Sequence, residues 1–569
     1  MARHRSAKTS RGYRSLTVSP ANGLADGTDG TVGHMNTAGP STASRLAAAL
    51  RVCAILACLA AEIILILMLV RPHLDPARIR PLPLVAGAWL VFLTAAWLLR
   101  RTAKRLVVPL ILLGAIGVQV AALTALPAGS SDLYRYIWDG RVQAAGIDPY
   151  AFTPAAAGVA HLRDPFLWSN AKGPVTAGSA HYYYDCVRNF RNRQYPDLSL
   201  AAGCTKINRM QVPTIYPPVA EAYFLGVHLA APADSSTTPI QMAAALCALA
   251  TTVILLFGLR ALGKDIRMAA LWGWCPTVAL EAGNNAHVDV LAVAITALAL
   301  IILARARTEG RTVLGGVLLG LAVATKVTPV LVIPAVLRRR WFMIAASAGT
   351  AISLVYAPHV LAVGRKVIGF LPGYLNQEGY TSGRRFDIID LLFQQKMAIG
   401  IAVVTLAVVA YFVLRFSNPD QPWHGAVVMT AAALAVATPA YQWYSLLLVM
   451  LVALDGRPEW LAIAAGGYMA AEPVLGKWTP PHAAALGYGT GLLIAIGGSV
   501  VRYRLARRRG LATRVLPALE STALAATIRG DYAVTLTELA GAHALAEANG
   551  SPDPLTREHL AFAAADHNS

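Results

Sequence analysis

Charge is scarce in this sequence, and negative charge is the scarcest. Of the 569 residues, 14% are charged and 56% are hydrophobic, with 30 acidic residues against 49 basic ones. The mean hydropathy is +0.51. Soluble globular domains carry about 25% charged residues, so this composition excludes an ordinary soluble protein. It predicts an all-α polytopic membrane protein, because α-helices satisfy their backbone hydrogen bonds within lipid.

Cysteine is also scarce, and six cysteines are too few for a disulfide scaffold. Four of them fall in apolar runs, where cysteine packs as a small core residue: Cys53, Cys58, Cys247 and Cys275. Cys186 and Cys204 lie in a long polar segment that the topology below places outside the cytoplasm, and we predict a disulfide between them. It would close a loop of about 19 residues and stabilise the segment by about 3 kcal/mol.

Nucleotide-binding and metal-binding motifs are missing from the predicted cytoplasmic segments. No P-loop, glycine-rich dinucleotide motif or metal-ligand spacing occurs there. The net charge of +19 does not indicate nucleic-acid binding, because the basic residues form short clusters between apolar runs, at 100–105, 338–340 and 502–509. Such clusters mark cytoplasmic loops. They predict that both termini are cytoplasmic.

Long apolar runs separate these clusters, and a membrane crossing needs about 20 such residues. The runs predict a transmembrane domain at 45–501 with about 12–14 helices, between a disordered basic tail at 1–44 and a small helical tail at 502–569. The polar segments 127–213 and 363–395 are predicted external loops. The predicted crossings include 52–70, 84–99, 106–126, 242–259, 268–282, 288–303, 342–361, 397–414, 425–437, 443–454, 461–471 and 483–501.

Two further apolar segments do not fit a simple crossing. A crossing at 215–232 would place the basic residues at 260–267 outside, so we expect an interfacial or re-entrant piece there. The 25 residues of 313–337 have cytoplasmic arginines on both sides and are too few for two crossings. They predict a re-entrant hairpin with its tip near Lys326. Because irregular backbone at membrane depth is tolerated where it lines a cavity, Lys326 is expected to face one.

A polar stretch begins where the third predicted crossing ends, at Asp132. Residues 132–143 place polar side chains on one helical face, which predicts a short helix at the membrane surface. The alternative is an interfacial helix whose charges are only solvated. Ionisable residues at the edges of membrane helices are functional candidates by default. The candidate site residues are Asp132, Arg135, Tyr136, Asp139, Tyr216, Asn285, His287, Asp289, Lys326, Arg384 and Arg385.

The predicted topology places these residues on the outer face, where an enzyme without a cytoplasmic nucleotide site needs an activated donor. A lipid phosphate is an obvious carrier. Glycosyl transfer from it requires a carboxylate to take the proton of the attacking hydroxyl, cations to hold the departing phosphate, and an apolar groove for the prenyl chain. The sequence contains candidates for all three.

Four stretches resemble, in order and spacing, the polyprenyl-phosphate-mannose-dependent mannosyltransferases of the GT-C superfamily. The similarity is closest to glycosyltransferase family 87, and it covers about residues 85–450. The stretches are DLYRYIWDGRVQAAGIDPY, IYPPVAEAYFL, LWGWCPTVALEAGNNAHVDVLAVAI and GGVLLGLAVATKVTPVLVIPAV.

The resemblance implies a GT-C fold and an inverting transfer of mannose from a β-linked polyprenyl phosphate to a glycolipid or glycan of the cell envelope. The reaction would occur on the outer face of the plasma membrane, with Asp132 as catalytic base and Lys326 near the donor phosphate. More distant eukaryotic relatives carry Asp-x-Asp at the first position, whereas this chain reads Asp132-Leu133-Tyr134. That departure argues against a bound divalent metal, and no cofactor is expected.

Three alternatives stay open at this point. A related transferase could use another polyprenyl-linked sugar, such as arabinofuranose or glucose, because sugar discrimination depends on a few hydrogen bonds that the sequence does not locate. A lipid or sugar transporter would also contain buried charges and broken helices, but the sequence has no two-fold internal repeat. The third alternative is a structural scaffold for envelope synthesis, which the clustered Asp, His and Lys residues argue against.

Overall fold

The computed structural model describes residues 42–71, 81–168, 205–231, 236–470 and 482–508. The chain divides into two compact units, Met1–Ala47 and Ala48–Ser569. The first is described only from Thr42 onward, and the features below belong to the second. The longer helices are α1 (Thr42–Val70), α2 (Pro81–Leu99), α3 (Lys104–Ala122), α4 (Asp132–Ala144), α5 (Pro218–Ala230), α6 (Thr238–Ala261), α7 (Asp289–Ala304), α8 (Glu309–Val323), α9 (Trp341–Val363), α10 (Gln395–Phe416), α11 (Trp423–Ala437), α12 (Leu446–Asp455) and α13 (Ala483–Arg508).

Shorter helical segments connect several of these helices, and the described residues contain no β-strand beyond a single bridge between Trp168 and Thr205. The short segments are Ala157–Leu162, Ile266–Ala269, Ala270–Gly273, Val278–Asn284, Thr328–Val332, Ile333–Val336, Gly364–Ile368, Leu371–Gln377, Asp387–Asp390, Gln442–Ser445, Pro458–Trp460, Leu461–Gly466 and Gly467–Ala470.

Seven helices in the described ranges are long and apolar enough to cross a membrane, namely α1, α2, α3, α6, α9, α10 and α13. The number rises to eight if the bent pair below is one crossing, while α11 and α12 are apolar but shorter. The prediction of an all-α polytopic membrane protein is confirmed. This count is lower than the expected 12–14 because several predicted crossings fall on short or broken helices, which hydropathy alone does not distinguish from continuous ones.

The chain bends by 117° between Val278–Asn284 and α7. Val278–Asn284 is a π-helix, a form that occurs often at functional sites. Ala286, in the turn that follows, has φ of +55°, in the left-handed region that disfavours a side chain. The predicted crossing at 268–282 is therefore a series of short segments, and the bend turns the polar residues 284–289 toward the start of α4.

A second break follows α8, which ends at Val323, three residues before Lys326. The next segments, Thr328–Val332 and Ile333–Val336, each carry a proline in their first turn, where its missing N–H is tolerated. The structure thus interrupts the helix at the place where the sequence predicts an interruption. The hairpin itself stays a prediction.

Most of the surface of α4 is buried, partly against α5. The ring of Tyr136 stacks on Phe224, with 4.3 Å between centroids. Gly140 is required by close packing, because an added Cβ would lie 2.5 Å from the carbonyl oxygen of Phe224. Leu133 and Trp138 are also buried. The alternative of an interfacial helix whose charges are only solvated is therefore wrong, because Arg135 and Asp139 are buried. Periodicity shows which side chains share a face, but not what covers that face.

Candidate active site

Asp132 opens α4, and its carboxylate is held by a residue from a distant loop. Asn208 Nδ2 donates to Asp132 Oδ1 at 2.6 Å, and the Asp132 amide donates to Ser130 Oγ at 3.2 Å. Within the described residues no hydrogen bond reaches Oδ2. The side chain keeps 16% exposure. Asp132 is thus a fixed carboxylate with one oxygen available to another molecule.

His287 lies between two carboxylates and against an aromatic ring. Its Nδ1 is 3.9 Å from Asp132 Oδ2, and its Nε2 is 3.7 Å from Glu281 Oε2. Both distances exceed a hydrogen bond. The ring stacks on Trp443 at 3.8 Å between centroids, and Trp443 stacks in turn on Tyr441 at 4.4 Å. His287 is fully buried, so its position is fixed by packing.

The lysine side chain of Lys326 adjoins the residues around Asp132 and His287. Lys326 Nζ forms an ion pair with Asp289 Oδ2 at 3.0 Å and lies 5.2 Å from the ring centroid of Tyr216. Tyr216 packs edge-on against Tyr136 at 4.9 Å, and Tyr136 is one helical turn after Asp132. The fold therefore brings together six predicted site residues, which we call the Asp132 cluster: Asp132, Tyr136, Tyr216, His287, Asp289 and Lys326.

Arg135 and Asp139 form a separate, buried pair one turn apart on α4. Arg135 Nε donates to both Asp139 oxygens, at 2.9 and 3.0 Å, and Nη1 donates to the carbonyl of Val212 at 3.1 Å. Glu221 of α5 lies beside them and accepts hydrogen bonds from Thr214 Oγ1 at 2.7 Å and from a glutamine of α4. Burial, with the nearby Asp139 carboxylate, raises the pKa of Glu221 well above its ordinary value. These groups are satisfied within the protein, and the bond from the α4 glutamine to Glu221 joins α4 to α5.

The two predicted arginines of the second external loop differ from each other. Arg385 pairs with Glu378, which also accepts from Tyr441 Oη at 3.1 Å and pairs with Arg209 at 3.3 Å. Arg384 is exposed, and its Nε donates to a neighbouring serine. Through Tyr441, Glu378 is connected to the aromatic stack on His287. Arg385 thus belongs to a structure next to the Asp132 cluster, whereas Arg384 does not contact it.

Both polar atoms of the Asn285 side-chain amide form hydrogen bonds. Its Oδ1 accepts from the Gly129 amide at 2.9 Å, and its Nδ2 donates to Glu281 Oε2 at 3.0 Å. The predicted disulfide between Cys186 and Cys204 lies outside the described residues. Among those that are described, no group of three or more His, Cys, Asp or Glu side chains is arranged to hold a metal ion.

Several residues of the site were not predicted as site residues. Asn208 reaches Asp132 only through the tertiary fold, and nothing in its sequence surroundings indicates this contact. Trp443 offered a signal, because it opens the predicted crossing 443–454 on the same side of the membrane as Asp132. Glu281 offered one too, as a carboxylate inside an apolar run.

Comparison with known proteins gives two matches. Residues 214–379 match the model of glycosyltransferase family 87, and residues 43–182 match the model of the alpha-(1->6)-mannopyranosyltransferase N-terminal domain. No curated protein and no solved structure matches the chain. Asp132 and Tyr136 lie in the second matched region, and the rest of the Asp132 cluster lies in the first. The matches confirm the resemblance seen in the sequence, and we conclude that the protein is a multi-pass membrane glycosyltransferase with similarity to family 87 over residues 214–379.

Proposed function

We propose that the protein transfers mannose from a polyprenyl-phosphate mannose to a glycolipid or glycan of the cell envelope, on the outer face of the plasma membrane. The observation that carries the proposal is the position of Asp132, a partly exposed carboxylate in one cluster with the cation of Lys326. The similarity to the mannopyranosyltransferase domain supports mannose as the sugar. The resemblance to enzymes that use polyprenyl-linked donors supports the carrier.

In the proposed reaction Asp132 is the general base. Asn208 occupies Oδ1, which leaves Oδ2 to accept the proton from the acceptor hydroxyl. The acceptor oxygen then forms a bond to C1 of mannose while the bond from C1 to the phosphate oxygen breaks. The attack inverts the configuration at C1, so a β-linked donor gives an α-linked product.

Lys326 stabilises the leaving group in this scheme. The electron pair of the broken bond stays on the phosphate oxygen, and a nearby ammonium group lowers the energy of that charge. The pairing of Lys326 with Asp289 at 3.0 Å fixes the direction of the side chain. No step needs a metal or another cofactor. We therefore expect transfer to continue in the presence of a chelator.

A transfer assay on purified protein tests the proposal. Wild type and Asp132→Asn are supplied with polyprenyl-phosphate mannose and an extract of envelope lipids, and labelled product is measured. Because a general base contributes about 10²–10⁴-fold, transfer by Asp132→Asn should fall by that factor. Asp164→Asn is the matched control, since Asp164 lies in the same external segment and pairs with Arg141 at 2.6 Å.

Retained transfer by Asp132→Asn would exclude this carboxylate as the base. Transfer only from polyprenyl-linked arabinofuranose or glucose would keep the enzyme class and replace the sugar. The purified protein in detergent has no membrane gradient, so any transfer observed there excludes the transporter interpretation. Product formation in the presence of a chelator tests the absence of a metal requirement.

A further inference from the structure

Side-chain amides hold the loop that leads into Asp132. The loop runs from 123 to 131, between α3 and α4. Its Ala128 amide donates to Asn284 Oδ1 at 2.8 Å, and its Gly129 amide donates to Asn285 Oδ1 at 2.9 Å. Asn284 Nδ2 lies 3.0–3.2 Å from three carbonyl oxygens, that of Ala122 at the end of α3 and those of Ala125 and Leu126 in the loop, and its two N–H groups donate to them. One asparagine side chain thus contacts the loop from its beginning to Ala128.

Asn284 is itself fixed by Gln241 of α6. Gln241 Nε2 donates to the Asn284 carbonyl at 2.7 Å and to the Ala125 carbonyl at 3.1 Å. Its Oε1 accepts from Thr237 Oγ1 at 2.9 Å. Both amides are almost fully buried. Because an unpaired buried polar group costs about 1–3 kcal/mol, these contacts define one arrangement of the loop.

The segment that contains Asn284 also contains His287 and Asp289 of the Asp132 cluster. Asn284 and Asn285 end the π-helix, and His287 and Asp289 follow within five residues. Ala286 between them holds its left-handed conformation while buried. The hydrogen bonds between Asn284 and the loop therefore connect two parts of the site that lie about 150 residues apart in sequence.

We propose that Asn284, held by Gln241, is a positioning residue that fixes Asp132 relative to the turn bearing His287 and Asp289. The proposal rests on the proposed function, in which Asp132 is the base. Asn284 does not touch substrate and acts through the loop. An amide is required because the side chain must accept from one backbone N–H and donate to backbone carbonyls at once. A carboxylate at this position would face three carbonyl oxygens.

Two variants test the proposal from opposite sides of the contact. Asn284→Ala removes every hydrogen bond of the side chain. Gly129→Ala leaves Asn284 intact and places a Cβ 2.9 Å from Asn285 Nδ2, so that either the loop or the Asn285 amide must shift and the hydrogen bond between them is disturbed. Asn418→Ala is the matched control, because Asn418 also accepts from a backbone amide, that of Asp420 at 2.9 Å, in the turn between α10 and α11.

Two readouts are needed, one of which does not depend on activity. Amide hydrogen exchange of the full-length protein in micelles should speed up at Ala128 in Asn284→Ala and stay unchanged in Asn418→Ala. In the transfer assay both site variants should lose about 10²-fold in kcat with an unchanged KM for the donor, since a displacement of about 1 Å at a reacting group has that effect. In a double-mutant cycle with Asp132→Asn, the loss caused by Asn284→Ala should disappear, because both changes act on one group.

The outcomes separate this proposal from the proposed function. Unchanged exchange at Ala128 in Asn284→Ala overturns the positioning role, whatever the activity. Faster exchange with full kcat, while Asp132→Asn is inactive, also overturns it and leaves Asp132 as the base. Full activity of Asp132→Asn overturns the proposed function and, with it, the role of Asn284 in placing a base. Faster exchange, reduced kcat and coupling to Asp132 together support the proposal.

Discussion

Two groups of charged side chains lie at opposite ends of α11 and α12, and they are satisfied in different ways. The first, which we call the Asp455 cluster, consists of Lys264, His424, Asp455 and Arg457. Asp455 lies 3.4 Å from His424 Nδ1 and 3.5 Å from Arg457 Nε. Lys264 Nζ donates to the carbonyl of Leu454 at the end of α12, which Gly456 terminates with a left-handed φ of +82°. The charges of the Asp455 cluster are paired directly and stabilise the end of α12.

The Asp132 cluster lies beyond the other end of these helices, and its charges are less completely paired. Among the described residues no lysine or arginine lies within ion-pair distance of Asp132. Its nearest cationic partner would be His287, 3.9 Å away and charged only if protonated. In this comparison the Asp455 cluster stabilises a helix end, whereas the Asp132 cluster keeps a partly exposed carboxylate oxygen free of cations, in line with the proposed role of Asp132 as a base.

The largest effect expected from this comparison is a difference in transfer activity between variants of Lys326 and Lys264. Lys326→Met should lower transfer by about 10²–10³-fold, the loss typical of removing one group that stabilises a developing anion. Lys264→Met should leave kcat unchanged, because Lys264 contacts a helix end and lies over the Trp423 ring at 4.3 Å. The measurement is kcat and donor KM for both variants in the same detergent.

A double variant excludes a simpler explanation for a loss at Lys326. Lys326→Met leaves Asp289 buried without its cation, which by itself destabilises the site. Lys326→Met combined with Asp289→Asn removes both charges. Low transfer in the double variant supports a role at the phosphate. Recovered transfer would mean that Lys326 only neutralises Asp289.

The second prediction concerns stability, and here the larger loss is expected in the Asp455 cluster. Asp455→Asn should lower the free energy of unfolding by about 1–2 kcal/mol, because it removes a buried carboxylate from partly exposed cationic partners. Asp132→Asn should change it little, because Asn208 can still donate to the remaining carbonyl oxygen. Unfolding is followed in mixed micelles with increasing denaturing detergent. Equal losses in the two variants would remove the distinction between the clusters.

The sequence predicts much of this architecture because hydropathy and charge act locally. Helices α1, α6 and α10 each contain a predicted crossing, and the break before Thr328 was placed within a few residues. The irregular segment at 266–284 was missed as such, since a π-helix and a 3-10 turn carry the same apolar residues as a continuous helix. Ala286 shows the limit of prediction from sequence, because nothing about alanine indicates a left-handed backbone.

The candidate site was predictable only in part, for a related reason. Asp132, His287 and Lys326 are recognisable because charge at the edge of an apolar run is costly. Their partners are not, since Asn208 and Gln241 are polar residues in ordinary surroundings. Arg135 and Asp139 share a helical face with Asp132 in sequence, yet packing against α5 buries them as a pair of their own. Periodicity gives the face of a residue, and only the fold gives its neighbours.

A smaller effect concerns His287, which links the cluster to the aromatic stack. His287→Gln removes the ring that packs on Trp443 and the nitrogen near Asp132. At 3.9 Å the nitrogen is too far for a direct hydrogen bond, so its removal should cost about 1.4 kcal/mol or less in the transition state, up to about tenfold in kcat. Trp443→Phe keeps a ring for stacking, and its loss of kcat should be smaller than that of His287→Gln. A greater loss in Trp443→Phe than in His287→Gln would contradict this order.

The smallest expected effect is a pH dependence of stability to which Lys264 of the Asp455 cluster contributes and Lys326 does not. Burial lowers the pKa of Lys264 from 10.5 to about 8, against the opposing effect of Asp455. Between these two values the unfolded chain binds more protons than the folded one, so the free energy of unfolding should rise with pH across that window. Lys264→Met should reduce the slope, while Lys326→Met should leave it unchanged. A slope unchanged in Lys264→Met would assign the dependence to another group, such as Lys206, whose pKa burial also lowers to about 8. Loss of the slope in Lys326→Met would mean that the two clusters are coupled through α11 and α12.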